Sequence, residues 1–148
     1  MSKNYANTAL RLGYAIASED FVSKLRALQP DWSVNSLAQK AGISALEDHE
    51  YLTNARKVMF SARNYLKSAL TELGLETITT DANFLLIRVD NASKWRYLLL
   101  KKGVVVRDCS SFGLPKYIRV GIRVIEDCKI LVEAITKVSE KLIDDYNE

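Results

Sequence analysis

Asn83-Phe84-Leu85-Leu86-Ile87-Arg88-Val89 is the stretch on which the fold turns. Its aromatic and β-branched residues suit a strand, and it lies just past the point where the apolar period of the chain changes. Upstream of it, Tyr51, Leu52, Ala55, Val58, Met59, Ala62, Leu66, Ala69, Leu70 and Leu73 recur at helical spacing. Asp48 is placed to cap that helix, Glu50 puts negative charge in its first turn, and Gly74 follows where a left-handed residue belongs. Between Gly74 and the quoted run, Glu76 to Thr79 suits another strand. Downstream, Asn91 or Ser93 opens a short helix with Trp95, Leu98 and Leu99 inward, ended by Gly103. Val104-Val105-Val106-Arg107 reads as a strand, and Cys109 to Pro115 as a loop broken by Gly113 and Pro115. Tyr117-Ile118-Arg119-Val120-Gly121-Ile122 alternates and reads as a further strand. Ile125, Cys128, Leu131, Val132, Ile135, Val138 and Leu142 then stripe a last long helix.

Towards the N-terminus the elements shorten. Leu10 to Ala17 suits a short buried strand closing at Ser18. Ser18 is a good N-cap, with Glu19 and Asp20 in the first turn and Phe21, Leu25 and Leu28 on one face until Pro30 stops the helix. Ser33 caps another, striped by Val34, Leu37, Ala38, Ala41 and Ala45. Helices, two strands, a helix, two strands and a helix predict an α/β chain of the α+β kind. Its helices should lie on one face of a small mixed or antiparallel sheet.

Composition excludes several classes. Of 148 residues, 48% are hydrophobic and 26% charged, as in ordinary globular domains. Twenty-one basic and 18 acidic residues leave a formal charge of +3, spread along the chain, which gives no reason to expect nucleic acid or a membrane as partner. No apolar run reaches a membrane span, and no signal-peptide pattern opens the chain. Cys109 and Cys128 show no zinc-like spacing and read as reduced thiols of a cytoplasmic protein, with a disulfide between them as the alternative. His49 is the single histidine, hence the single candidate for a histidine base.

Four features could carry chemistry: Lys3 with Arg11, the segment Trp32 to Asp48, the loop around Arg107, and Arg119 on its strand. Each has a plainer reading when taken singly. A lysine beside a terminus is usually a solvated side chain. Arg119 could merely face water, opposite Ile118, Val120 and Ile122.

Together they form a pattern. Ser2-Lys3, seven residues, then Arg11-Leu12-Gly13-Tyr14 resembles the active-site segment of fold-type-I pyridoxal-phosphate (PLP) enzymes of the aminotransferase superfamily. Trp32-Ser33-Val34-Asn35-Ser36-Leu37-Ala38-Gln39, Ala45-Leu46-Glu47-Asp48, Ala82-Asn83-Phe84-Leu85-Leu86 and Tyr117-Ile118-Arg119-Val120 resemble the histidinol-phosphate aminotransferase branch. Val106-Arg107-Asp108-Cys109-Ser110-Ser111-Phe112-Gly113-Leu114-Pro115 is closer to that branch's threonine-phosphate decarboxylases. The resemblance implies that Lys3 forms the Schiff base with PLP and moves protons at the substrate α-carbon. It implies that Arg11 pairs with the cofactor phosphate, that Arg119 clamps the substrate α-carboxylate, and that Arg107 faces the phosphorylated far end of an amino-acid substrate. Residues 1–17 would be a remnant of the PLP-binding large domain, and residues 18–148 the C-terminal small domain.

The chain departs from the pattern in two ways. Ala6-Asn7-Thr8-Ala9-Leu10 replaces the usual small Pro-Gly-like turn before the arginine. Family members also run to more than twice this length, with the partner of the pyridine nitrogen and the ring-stacking aromatic upstream of the lysine. The expectation is therefore a C-terminal fragment of an enzyme that transaminates or α-decarboxylates a phosphorylated amino acid, inactive alone. A stable non-catalytic domain that self-associates or binds a partner is the rival, and a homodimer or other self-association through the apolar residues of Leu10–Ala17 and Phe21–Leu28 is expected of the chain. A small anion-binding module resting on Arg107, Arg119 and Arg123 ranks last.

Overall fold

The computed structural model describes residue 5 and residues 8–147. In chain order the elements are α1 (Glu19–Ala27), α2 (Ser36–Glu47), α3 (His49–Glu72), β1 (Thr77–Thr79), β2 (Phe84–Arg88), α4 (Ala92–Lys101), β3 (Arg107–Asp108), a 3-10 turn (Ser110–Phe112), β4 (Tyr117–Gly121) and α5 (Ile125–Asn147). Between Arg56 and Lys57, inside α3, the chain divides into two compact units.

The second unit is built round a sheet of order β1-β2-β4-β3, with every described pairing antiparallel. Alternation decides its two faces. Leu85 and Ile87 of β2 and Ile118 and Val120 of β4 are buried, and join Ala62, Leu66 and Leu70 of α3, Trp95 and Leu99 of α4, and Ile135 and Val138 of α5 in one core. Phe84, Leu86, Tyr117 and Arg119 lie on the other face and are half-buried. The expected small antiparallel sheet with helices on one face is what the chain forms. Inside the core, the indole Nε1–H of Trp95 donates to Asp90 Oδ1 at 2.7 Å, so this large side chain is buried without an unmet donor.

Helix ends follow local chemistry. Asn91 Oδ1 accepts from the backbone N–H of Lys94 at 2.9 Å and caps α4. Gly74, at φ +73, lets Leu75 N–H reach back to Leu70 C=O and Gly74 N–H to Thr71 C=O, a Schellman closure of α3. Gly103, at φ +78, closes α4 in the same way.

The first unit holds α1, α2 and the start of α3. Among its described residues, Ala38 and Gly42 of α2 are buried, and the rings of Tyr5 and Tyr51 stack at 5.9 Å. Asp48 Oδ1 accepts from Tyr51 N–H and caps α3 as expected.

Several expectations are corrected. Leu10–Ala17 is neither strand nor buried: it is a turn followed by irregular chain, with Tyr14 70% and Ile16 89% exposed, and no described strand pairs with it. The cap of α2 is Asn35, whose Oδ1 accepts from Ala38 N–H at 2.8 Å, whereas Ser33 Oγ accepts from Gln29. Leu37 points away from the α2 stripe and is exposed. Ser18 stands at the N-cap of α1 without a side-chain hydrogen bond, and α1 ends at Ala27, before Pro30 is reached. Val104–Val106 has no strand partner, and pairing starts only at Arg107.

Candidate functional site: two arginines opposed across β3 and β4

Arg107 and Arg119 are direct partners in the β3–β4 register. Residues opposed in an antiparallel pair lie about 4.5–5.5 Å apart at Cα and present their side chains to the same face. Two like charges so placed repel, and the described residues supply no carboxylate to either guanidinium. Aromatic rings back them instead. The Arg119 guanidinium carbon lies 5.2 Å from the Phe84 ring centroid on β2, and that of Arg107 lies 5.5 Å from the Phe112 ring on the 3-10 turn. Arg107 also donates to Ser111 Oγ at 3.0 Å. A ring face attracts the cation while occupying none of its N–H donors, so both forks keep donors for an anion.

Beside this pair sits an anion that does not neutralise it. Asp108 Oδ1 accepts from the backbone N–H of Ser110 at 2.8 Å and from its hydroxyl, and Oδ2 accepts from the hydroxyl of Ser93 on α4. The hydroxyls of Ser110 and Ser93, with the Ser110 amide, bring its carboxyl down to about 2. Cys109 follows, buried and unoxidised; burial pushes its thiol pKa up, against the opposing pull of Arg119. Cys128, also a buried thiol, is pushed up by burial in the same way.

The other expected site residues fall elsewhere. Lys3 lies outside the described residues. Arg11 belongs to the first unit, sits at φ +51 and donates from one guanidinium nitrogen to Thr8 C=O at 3.1 Å. It is exposed, and no described carboxylate pairs with it. A guanidinium with donors remaining is chemically able to take an anion. Within the Trp32–Asp48 segment the structural roles found are the caps of Asn35 and Asp48, while Trp32 is 97% exposed at φ +58. Arg123, just before α5, is held by Asp127 of that helix through an i, i+4 ion pair, so it does not add an open fork to Arg107 and Arg119.

Sequence reasoning gave site roles to both arginines but none to Phe84, Phe112 or Ser111, and weighed Ser93 only as the opener of a helix. Phe84, Ser111 and Phe112 stood in quoted motifs, and nothing in a motif says which ring ends up beneath which guanidinium.

The model of the class I and II aminotransferases matches residues 1–135. The chain belongs to this family. Among its aminotransferase relatives, the histidinol-phosphate aminotransferase 1 of Nitrosococcus oceani is 35% identical over 141 residues, 95% of this chain and 38% of that protein. The histidinol-phosphate aminotransferase of Haloarcula marismortui is 36% identical over 141 residues, again 38% of its length. The chain thus spans under two-fifths of these relatives. Among solved aminotransferases, the histidinol-phosphate aminotransferase of Clostridium acetobutylicum superposes with a TM-score of 0.78 at 26% identity, over 83% of this chain and 39% of that one. The L-threonine-O-3-phosphate decarboxylase of Porphyromonas gingivalis shares the fold, with a TM-score of 0.80 at 24% identity over 94% of this chain and 45% of that one. Enzymes of this family generally depend on PLP. No helix among the described residues is long and apolar enough to cross a membrane.

Proposed function

We propose that this chain supplies the substrate-binding small domain of a PLP-dependent enzyme that transaminates or α-decarboxylates a phosphorylated amino acid. The observation behind this reading is the pair of ring-backed, carboxylate-free arginines opposed on β3 and β4. Two cations at that spacing repel each other until an anionic ligand arrives, and a substrate with a carboxylate at one end and a phosphate at the other satisfies both. Arg119 takes the α-carboxylate in a two-pronged grip, which fixes the orientation of the bonds at the α-carbon. Arg107, nearer solvent and steadied by Ser111, takes the phosphate. PLP, when bound, supplies the electron sink that stabilises negative charge at the α-carbon. Arg11 pairs with the cofactor phosphate, and the Lys3 amine holds the cofactor and carries the proton to and from the α-carbon.

In this reading residues 1–17 belong architecturally with the cofactor-binding domain and residues 18–148 form the small domain. On the same reading the 148-residue chain, which spans 38% of the length of the Nitrosococcus relative, does not turn over amino acids by itself, and measurable transamination or decarboxylation by the purified chain would refute that. In the active enzyme containing this chain, Arg119→Lys keeps the charge but loses the fork. A charge-assisted hydrogen bond contributes about 1.5–3 kcal/mol, so kcat/KM should fall roughly ten- to a hundredfold while PLP binding survives. Unchanged kcat/KM in that variant would remove the carboxylate assignment. Arg107→Ala should penalise phosphorylated substrates far more than unphosphorylated ones. Adding PLP should produce a visible PLP–lysine absorption band that Lys3→Ala abolishes.

A further inference from the structure

We infer that Asp108, clasped by Ser93 and Ser110, is a positioning residue that keeps the Arg107 guanidinium open and aimed for the phosphate end of the substrate; this rests on the reading of Arg107 given above. Asp108 is the residue next to Arg107 on β3, and its register partner is buried Ile118, so its side chain starts on the face opposite to the arginine pair. Three hydrogen bonds keep it there: two from Ser110 to one carboxylate oxygen and one from Ser93 to the other. Asp108 is the carboxylate nearest to Arg107 in sequence, and Arg107 has no carboxylate partner among the described residues. Paired with Arg107, it would occupy the fork that a phosphate needs.

The same three bonds act on Arg107 by a second route. Asp108 fixes Ser110, the first residue of the 3-10 turn, and the next two residues of that turn are the ones that touch the guanidinium. Ser111 Oγ accepts from Arg107, and the Phe112 ring lies 5.5 Å from the guanidinium carbon. The start of α4 is tied in through Ser93, which anchors the turn to a helix whose Trp95 and Leu99 are core residues. The aim of Arg107 is therefore set by a carboxylate that never touches the ligand. The low carboxyl pKa agrees with this, since the clasp favours the ionised form.

The test uses this chain and two probes, O-phospho-L-threonine and L-threonine, with the Arg107 and Arg119 Nε–Hε resonances followed by NMR. Wild type should bind the phosphorylated probe more tightly, moving both resonances, and the unphosphorylated probe should move Arg119 alone. Asp108→Ala should weaken the phosphorylated probe about tenfold, the equivalent of one charge-assisted hydrogen bond, and leave the threonine response of Arg119 unchanged. Ser93→Ala, which removes a single hydroxyl from an exposed site, should weaken it in the same direction by a smaller factor. Asp108→Asn should recover part of the loss, because the amide can still accept from Ser110. A merely structural role for Asp108 would weaken both probes together, and that result would overturn the inference. Arg107→Ala separates the two levels. If it weakens the phosphorylated probe and neither Asp108→Ala nor Ser93→Ala does, the positioning role fails and the reading of Arg107 stands; if Arg107→Ala changes nothing, both fail.

Discussion

Asp108 and the two thiols make predictions that single side chains can test. The Asp108 carboxyl is brought to about 2 in the folded chain, below the ~3.9 of an unfolded aspartate, so folding favours its ionised form. Its contribution to stability is complete above about pH 4, declines as the pH falls from there towards 2, and is gone below the folded value. Thermal melts between pH 5 and 2 should therefore fall less steeply in Asp108→Asn than in wild type; parallel curves would contradict the clasp. Cys109 and Cys128 have thiol pKa values raised by burial, so they stay neutral at pH 8. Iodoacetamide should label them slowly in the folded chain and quickly in urea, as read by mass spectrometry. At this scale Arg107 and Arg119 stood out through the resemblance, while their loop and alternating contexts taken singly favoured plain exposure. The sequence was silent on their pairing. The opposition of Arg107 to Arg119 follows from the β3–β4 register, and the Phe84 ring reaches Arg119 only because β2 lies next to β4.

Elements were legible wherever local chemistry and packing agree. The helix from Asp48 to Gly74 shows a cap, a period and a left-handed stop in sequence, and all three hold in α3. The runs containing Phe84–Arg88 and Tyr117–Gly121 were legible from their aromatic and β-branched residues, and in each the second and fourth positions are buried. Val104–Val106 misled for the opposite reason: β-propensity supplies no partner, and buried Val106 and exposed Val105 sit in unpaired chain leading into β3. Ser33 misled because Asn35, an equally good cap, stands two residues later and wins the Ala38 amide. Two substitutions probe these elements. No atom lies within 4 Å of a Cβ placed on Gly74, so Gly74→Ala meets no clash and should cost about 1 kcal/mol from its φ of +73 alone, with Gly74→Asn costing less. Leu66→Ala empties a fully buried position on α3 and should cost about 2–5 kcal/mol. Urea denaturation of each variant measures both, and a Leu66→Ala cost within error of zero would remove α3 from the core.

At the scale of the whole molecule, the first unit carries several strongly exposed apolar side chains. Ile16 is 89% exposed and Leu28 82%, with Tyr14, Phe21 and Leu25 also open. Surfaces of that kind find partners, so light scattering should show the average mass of the chain rising with concentration. Phe21→Glu combined with Leu25→Glu should shift it back towards monomer, and a clean monomer at high concentration for the parent chain would refute the idea. The sheet itself constrains what form such association takes. Its two outermost strands are β1, three residues long, and β3, two residues long. Strands that short offer almost no run of unpaired backbone on which another chain could extend the ladder, which is how natural sheets avoid growing into fibrils. Contacts between copies should therefore run through side chains, stay reversible on dilution, and leave thioflavin T dark.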